Sequence, residues 1–335
     1  MSLAVRLGQL SVVPGLIPVV LVALAASWLS EHYRAPVMLF ALLLGMAMNF
    51  LSTDTRCQLG IEFASRTLLR AGVALLGMRI TLEQVQSLGV AALTLTFAAV
   101  GLTIVVGCAL ARTLKLDAAF GLLSGGAVAI CGASAALAIA AVLPDGPEQQ
   151  RATVMTVVGV TALSTVAMIV YPLIAAAAGL DVHATGIFLG ATIHDVAQVV
   201  GAGYSVSNEA GDTATIVKLF RVALLLPVVL VVSLLPIARS TAAVNSTRPP
   251  LLPAFLVAFA ALVAINSSGY LGPDLSHALQ GASRWCLVLA ISALGMKTVM
   301  GELASVGWKP IGLIVIETLF VGGLVLAGLA LGIAS

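Results

Sequence analysis

Charge is what this sequence has least of: in 335 residues there are 16 Lys and Arg and 14 Asp and Glu, so charged residues make up 9% of the chain. A soluble domain carries roughly a quarter charged residues, so water is not the solvent for most of the outside of this fold. Basic runs are missing as well. With a formal net charge of +2 and no Lys/Arg-rich stripe, nucleic acid is excluded as a partner, because phosphate backbones are held by clustered cations. The four cysteines, Cys57, Cys108, Cys131 and Cys286, lack CxxC spacing. They read as thiols packed like small apolar residues, not as a disulfide framework or a zinc site. Neither GxxxxGK[ST] nor HExxH occurs, which removes an ATP-hydrolysing pump and a zinc metalloprotease. No cofactor and no metal is expected.

What is present is hydrophobic, 60% of the chain, gathered into runs. A hydrocarbon core about 30 Å thick needs about 20 apolar residues per helix, and about eleven runs of roughly that length occur. They lie at 12–29, 35–52, 64–79, 89–112, 119–143, 152–178, 185–205, 214–238, 251–267, 283–298 and 310–333. The expected fold is an all-α polytopic membrane protein, a single transmembrane domain over 1–335, whose Gly- and Pro-rich spans are broken helices or re-entrant hairpins. Arg6 and the apolar run that follows imitate a secretory signal. Pro14 and Pro18 break that run and further spans follow, so an uncleaved first helix is the simpler reading. The longest polar connection, 239–250, suits a solvated loop.

Lys and Arg divide unequally between the two sets of connections. Arg6, Arg56, Arg112, Lys115, Arg239, Arg248, Lys297 and Lys309 fall on the N-terminal side, and Arg34, Arg79, Arg151 and Arg284 mostly opposite. This favours a cytoplasmic N-terminus. A repeat is also visible: Ala64-Ser65-Arg66 through Gly77-Met78-Arg79 recurs without a gap as Ala282-Ser283-Arg284 through Gly295-Met296-Lys297, and Ser87 and Gly89 extend the match to Ser305 and Gly307. An odd number of crossings separates the copies, so they should run in opposite directions, as inverted repeats do in secondary transporters. The repeat halves are placed roughly at 33–178 and 185–335.

Two segments carry the candidate chemistry. The first, 121–137, reads GLLSGGAVAICGASAAL and holds Ser124, Gly125, Gly126, Cys131, Gly132, Ala133 and Ser134. Glycine permits a break, and the N-terminal end of a half-helix offers N–H groups and positive partial charge to an anion, with Gly132, Ala133 and Ser134 as the anion-facing turn. Close helix packing is the alternative use of the same small residues. The second, 186–202, reads GIFLGATIHDVAQVVGA and sets His194, Asp195 and Gln198 in an apolar run. A carboxylate there is costly unless it is paired or meets water. Asp195 and His194 are therefore the ion-coupling candidates, and Gln198 joins the substrate-binding set. Glu317, in the last span, is a weaker case of the same kind. Arg66, Arg70, Lys218, Arg221 and Arg284 read as residues at span ends that snorkel to the interface, with attraction of an anionic substrate as their second role.

The stretches LLGMRITL at 75–82, GGAVAICGASAALAIAAV at 125–142, GATIHDVAQVVGAGY at 190–204 and ALGMK at 293–297 resemble the YeiH-like bacterial inner-membrane family, labelled as sulfate exporters. That resemblance covers nearly the whole chain. It implies a multi-pass protein of the bacterial inner membrane, related to cation/proton antiporters and bile-acid symporters, with inverted repeats and crossed discontinuous helices. A homodimer is an expectation from the same analogy. One feature departs from that plan, because the glycine-rich segment after the first repeat has no partner after Lys297. Residues 186–202 could supply the second discontinuous helix, out of order for a plain tandem duplication. The leading function is secondary transport of a small sulfur oxyanion, coupled to an ion gradient and not enzymatic. The alternatives are an intramembrane serine hydrolase using GASA at 132–135 with His194, and a passive anion channel.

Overall fold

The computed structural model describes residues 3–33, 36–144, 146–235, 254–269, 272–298 and 308–333, and every regular element among them is a helix. In chain order these are α1 (Leu3–Tyr33), α2 (Val37–Ala47), a 3-10 helix (Asn49–Thr53), α3 (Thr55–Phe63), a π-helical turn (Ala64–Leu68), α4 (Leu69–Leu76), α5 (Leu82–Ser87), α6 (Gly89–Thr113), α7 (Ala118–Ala129) and α8 (Ala133–Ala140). They continue as α9 (Pro147–Ala177), α10 (Val182–Thr192), α11 (Val196–Val206), α12 (Asn208–Ala223), α13 (Leu225–Leu234), α14 (Ala254–Ser267), α15 (Pro273–Lys297) and α16 (Trp308–Ala330). Among the described residues, 6 helices are long and apolar enough to cross a membrane, and shorter apolar helices occupy other expected spans. The chain is a polytopic helical membrane protein. Apolar runs become helices here because backbone polar groups in lipid must be satisfied within the segment. Pro14 and Pro18 interrupt the apolar pattern but not the helix, since α1 runs through both. The polar connection at 239–250 and the repeat positions Ser305 and Gly307 lie outside the described residues.

The helices gather into two compact units, and each takes helices from both halves of the sequence. One holds α1 to α5, α14 and α15, together with the last residues of α11; the other holds α6 to α10, α11 as far as Gly203, α12, α13 and α16.

In the first unit the sequence repeat becomes structure. The copies in α4 and α15 pack antiparallel. Gln280 Nε2 donates to Met78 O at 3.2 Å and Ser283 Oγ to Gly72 O at 2.7 Å, while Ala293 and Met296 share a buried cluster with Ile61 and Ala64. The equivalent glycines make equivalent contacts. Gly295 lies against Leu42 O and Gly45 of α2, and Gly77 against Phe259 O and Val263 of α14. A side chain at either position would meet backbone, so both keep helices close where lipid supplies no hydrophobic drive to associate.

In the second unit the contacts fix helix directions. Gly121 of α7 faces Ala111 and Gly107 of α6, and Gly125 faces Ile104, so α6 and α7 are antiparallel. Gly126 lies against the Ile139 side chain. That contact brings α8 back along α7: the two form a re-entrant hairpin, not a continuing span. The α10 residues Gly186 and Gly190 face Thr213 and Ala214 of α12 in the same order, and Gly203 of α11 returns to Gly211. Thus α10 and α11 form a second hairpin, and α12 resumes the direction of α10. The Tyr171 and Phe188 rings meet at a tilt, 5.3 Å apart, and Asp195 N donates to Ser164 Oγ, so α9 and α10 are antiparallel. Gly159 faces Ile314 and Tyr171 faces Gly322, setting α9 parallel to α16; Gly328 faces Leu95 and Gly107 faces Glu317, setting α16 antiparallel to α6. It follows that α7 and α10 point in opposite directions, and the two hairpins approach each other tip to tip.

Candidate functional site

The tips meet at the level of the midpoints of α9 and α16, where a span-length helix lies deepest in the bilayer. The first tip is Ile130 to Gly132, with Gly132 at φ 65° and ψ −129°, a backbone state that suits glycine. The second is Ile193 to Asp195, and a side-chain carbon built on Gly132 would sit 3.7 Å from His194. Each inbound helix ends here with free carbonyls, which must find donors.

Lys218 and Arg221, both fully buried on α12, supply them. Lys218 Nζ donates to Ile130 O at 2.7 Å, to Ile193 O at 2.9 Å, and to His194 O. Arg221 spans both hairpins: Nε to Ala129 O and Nη2 to Val128 O, each 2.8 Å, and Nη1 to Gly190 O and Ile193 O, each 3.0 Å. The planar guanidinium can serve several acceptors at fixed angles, which an ammonium cannot do alone. Helix C-terminal ends carry negative partial charge, so cations are favoured at both inbound ends. Three residues apart, Lys218 and Arg221 share a helix face.

The outbound helices begin differently. Asp195 caps α11, its Oδ1 accepting from Ala197 N at 2.8 Å, and Asp195 N donates to Ser164 Oγ at 3.0 Å. By contrast, α8 starts at Gly132 with no side-chain cap, Ala133 is half-buried and Ser134 exposed. Buried Gln198 donates from Nε2 to Thr165 Oγ1 at 2.8 Å and leaves its Oε1 without a partner. His194 Nε2 lies 3.0 Å from Thr318 Oγ1, whose own hydroxyl donates to Ile314 O at 2.7 Å. The single Thr318 proton is thereby used, so His194 Nε2 carries the hydrogen between them and Nδ1 is left unpartnered. Next to Thr318, fully buried Glu317 accepts at Oε1 from Ser124 Oγ at 2.8 Å, and its Oε2 has no partner.

The structure thus brings Cys131, Gly132, His194 and Asp195 to the paired tips, puts Ala133 and Ser134 on the first turn beyond, and sets Gln198 one turn into α11. It places Gly125 and Gly126 elsewhere: Gly125 admits the α6 backbone and Gly126 admits Ile139, so both serve helix packing. Ser124 faces Glu317. Arg66, which pairs with Glu62 at 2.7 Å, and Arg70 and Arg284 are exposed, Arg284 near the middle of α15. The snorkelling assignment fails for Lys218 and Arg221, which are fully buried and bonded to tip carbonyls instead of reaching an interface. Their place could have been read from the polar start of α12 at Asn208, which sets Lys218 about 15 Å inside the helix. His194 is engaged with Thr318, not with Ser134.

Comparison with known proteins agrees with a membrane protein. The family model described as Conserved hypothetical protein 698 matches residues 14–314. A UPF0324 membrane protein of Chlorobaculum tepidum is 55% identical over 314 residues, 93% of this chain and 88% of the relative. The UPF0324 membrane protein TauZ of Paracoccus pantotrophus is 51% identical over 320 residues, 95% of each. No solved structure gives a significant match. The chain belongs to the UPF0324 membrane protein family, the YeiH-like family that its hairpin sequences resemble.

Proposed function

We propose that the chain is a secondary transporter that exports a small anion, sulfate or a related sulfur oxyanion, across the bacterial inner membrane at the expense of an ion gradient. The observation that carries this reading is the pair of buried cations at the hairpin tips. Lys218 and Arg221 spend their hydrogen bonds on carbonyls. Arg66 pairs with Glu62, away from the tips. One tip carboxylate, Asp195, stands near two cations, so the surplus charge favours an anion. The uncapped first turn of α8 adds N–H donors from Ala133 and Ser134, with the Ser134 hydroxyl beside them. Two hairpins pointing in opposite directions give alternating access a physical basis, because either can move while the other keeps its side closed. Asp195 and His194 link the tips to α9 and α16, where coupling must pass.

Orientation follows from charge. Because α8 turns back along α7, Arg151 joins Arg112, Lys115 and Lys309 at the end where α6 meets α7, α8 meets α9 and α16 begins, not the opposite side on which a continuing span would put it. No Lys or Arg occurs from 152 to 217, through the opposite turns. The basic end is assigned to the cytoplasm, with the α7–α8 hairpin dipping in from it.

The test is flux of radiolabelled sulfate into proteoliposomes under imposed pH and sodium gradients, with sulfite and thiosulfate as competitors. Accumulation that collapses with an ionophore supports the reading. Unitary currents without accumulation would replace it with a passive channel, and absence of flux for every oxyanion would discard the substrate class.

A further inference from the structure

Glu317 takes no part in holding the tips, yet it is the buried acid best placed to sense them. It lies midway along α16, fully buried, in a slot that Gly107 of α6 leaves open: a side chain at Gly107 would overlap Glu317 Oε1. The wall opposite is α7, whose Ser124 Oγ is the partner of Oε1 and lies 3.4 Å from its own alternative acceptor, Gly121 O. Oε2 has none. The next residue along, Thr318, holds His194 at the tip of the second hairpin through Oγ1 and receives the Tyr171 hydroxyl at its carbonyl, 3.3 Å away. Two adjacent residues of α16 thus touch both hairpins.

We propose that Glu317 is a proton-binding site that couples the proton gradient to hairpin movement. This rests on the reading of the chain as a gradient-driven transporter. With a proton on Oε2 the carboxyl is neutral and suits its apolar slot. Without it, the carboxylate has a single hydroxyl donor and no cation opposite, a costly state inside a membrane protein. Ionisation is therefore tolerated only where α7 shifts enough to admit water, and shifting α7 moves the first tip. The groups facing the pair are few. Cys108 approaches Glu317 from α6, with exposed Arg112 one turn beyond it; Tyr171 approaches Thr318 from α9, and His194 from the second tip. Lys218 and Arg221 are occupied by tip carbonyls. The ligand is a proton, which the unpartnered Oε2 can take up without further oxygen donors.

Two measurements on the full chain test this. Infrared difference spectra of the reconstituted protein across a pH titration should show a protonated carboxylic acid band that is absent in Glu317→Gln. No difference between the two proteins at any pH would overturn the proposal. In proteoliposomes, Glu317→Gln should drop pH-gradient-driven accumulation to the level of empty vesicles while sulfate counterflow persists, since exchange needs no net proton movement. Accumulation at the wild-type rate would overturn it, as would accumulation driven by sodium with the acid band unchanged. If the wild-type protein carries no oxyanion, the transport reading fails on its own, and the infrared result still decides whether Glu317 binds a proton.

Discussion

The two hairpins share a plan and differ in what fastens them. In both, an inbound helix opens at an aspartate cap, Asp117 for α7 and Asp181 for α10, and ends at carbonyls held by α12. Beyond the tip they diverge. The second hairpin is tied to its surroundings by side chains: Asp195 caps α11, Ser164 receives the tip N–H, Thr165 receives Gln198 and Thr318 receives His194. The first packs through glycine against α6 and through Ser124 against Glu317, and its outbound helix starts at Gly132 without a side-chain cap. Opposed hairpins can therefore divide the work. One is anchored and carries the titratable groups; the other presents unclaimed backbone donors where an anion could sit.

Removing what the hairpins share should have the largest effect on the folded protein. Arg221→Ala leaves the carbonyls of Val128, Ala129, Gly190 and Ile193 without this donor, and each buried acceptor left unpaired costs about 1–3 kcal/mol. The variant is expected to be lost from detergent extracts as a monodisperse peak, and Arg221→Lys to be intermediate, because one ammonium cannot reach both tips in the same geometry. A wild-type melting temperature in Arg221→Ala would show that the tips are held by something else.

The next change separates the first tip from the second. Gly132 has a positive φ, so Gly132→Ala should cost about 1–3 kcal/mol in backbone strain, seen as a lower melting temperature. The added carbon itself meets His194 at ordinary contact distance, so strain and not collision sets the cost. Asp195→Asn tests the second tip more gently. Asparagine caps a helix as well as aspartate does, so stability should change by less than about 1 kcal/mol. Coupled transport should nevertheless stop, because the tip loses its charge. Wild-type transport in that variant would leave Asp195 as a cap alone.

Much of this was legible in the sequence, and the parts that were not have a common cause. Apolar run length marked the helices, and the LLGMR and ALGMK repeat foretold the opposite directions of α4 and α15, though not that the two copies pack together. Glycine at 132 and the polar pair His194 and Asp195 marked both breaks. Composition could not say whether a broken span continues or turns back, because that depends on a contact such as Gly126 with Ile139, thirteen residues apart in the chain. Likewise, Lys218 and Arg221 looked like interfacial cations, because their acceptors are backbone carbonyls on other helices, which leave no trace in side-chain identity. The order of the hairpins also escaped the repeat. The first follows α6 and the second precedes α14 to α16, so tandem alignment finds no counterpart after Lys297.

The smallest expected effect on the fold is the most direct probe of the division between the hairpins. Ser134 is exposed, so Ser134→Ala should alter stability by no more than about 0.5 kcal/mol. If the first turn of α8 holds the anion, the lost hydroxyl removes a hydrogen bond to a charged group, about 1.5–3 kcal/mol, and the half-saturation concentration for sulfate should rise by roughly tenfold or more. Ser164→Ala is the matched change at the second hairpin. It removes the acceptor of the Asp195 N–H, so it should lower the melting temperature and slow transport without a comparable change in half-saturation. The reverse pattern, with Ser134→Ala silent and Ser164→Ala weakening substrate binding, would place the anion at the second tip and undo the assignment of anchor and binder.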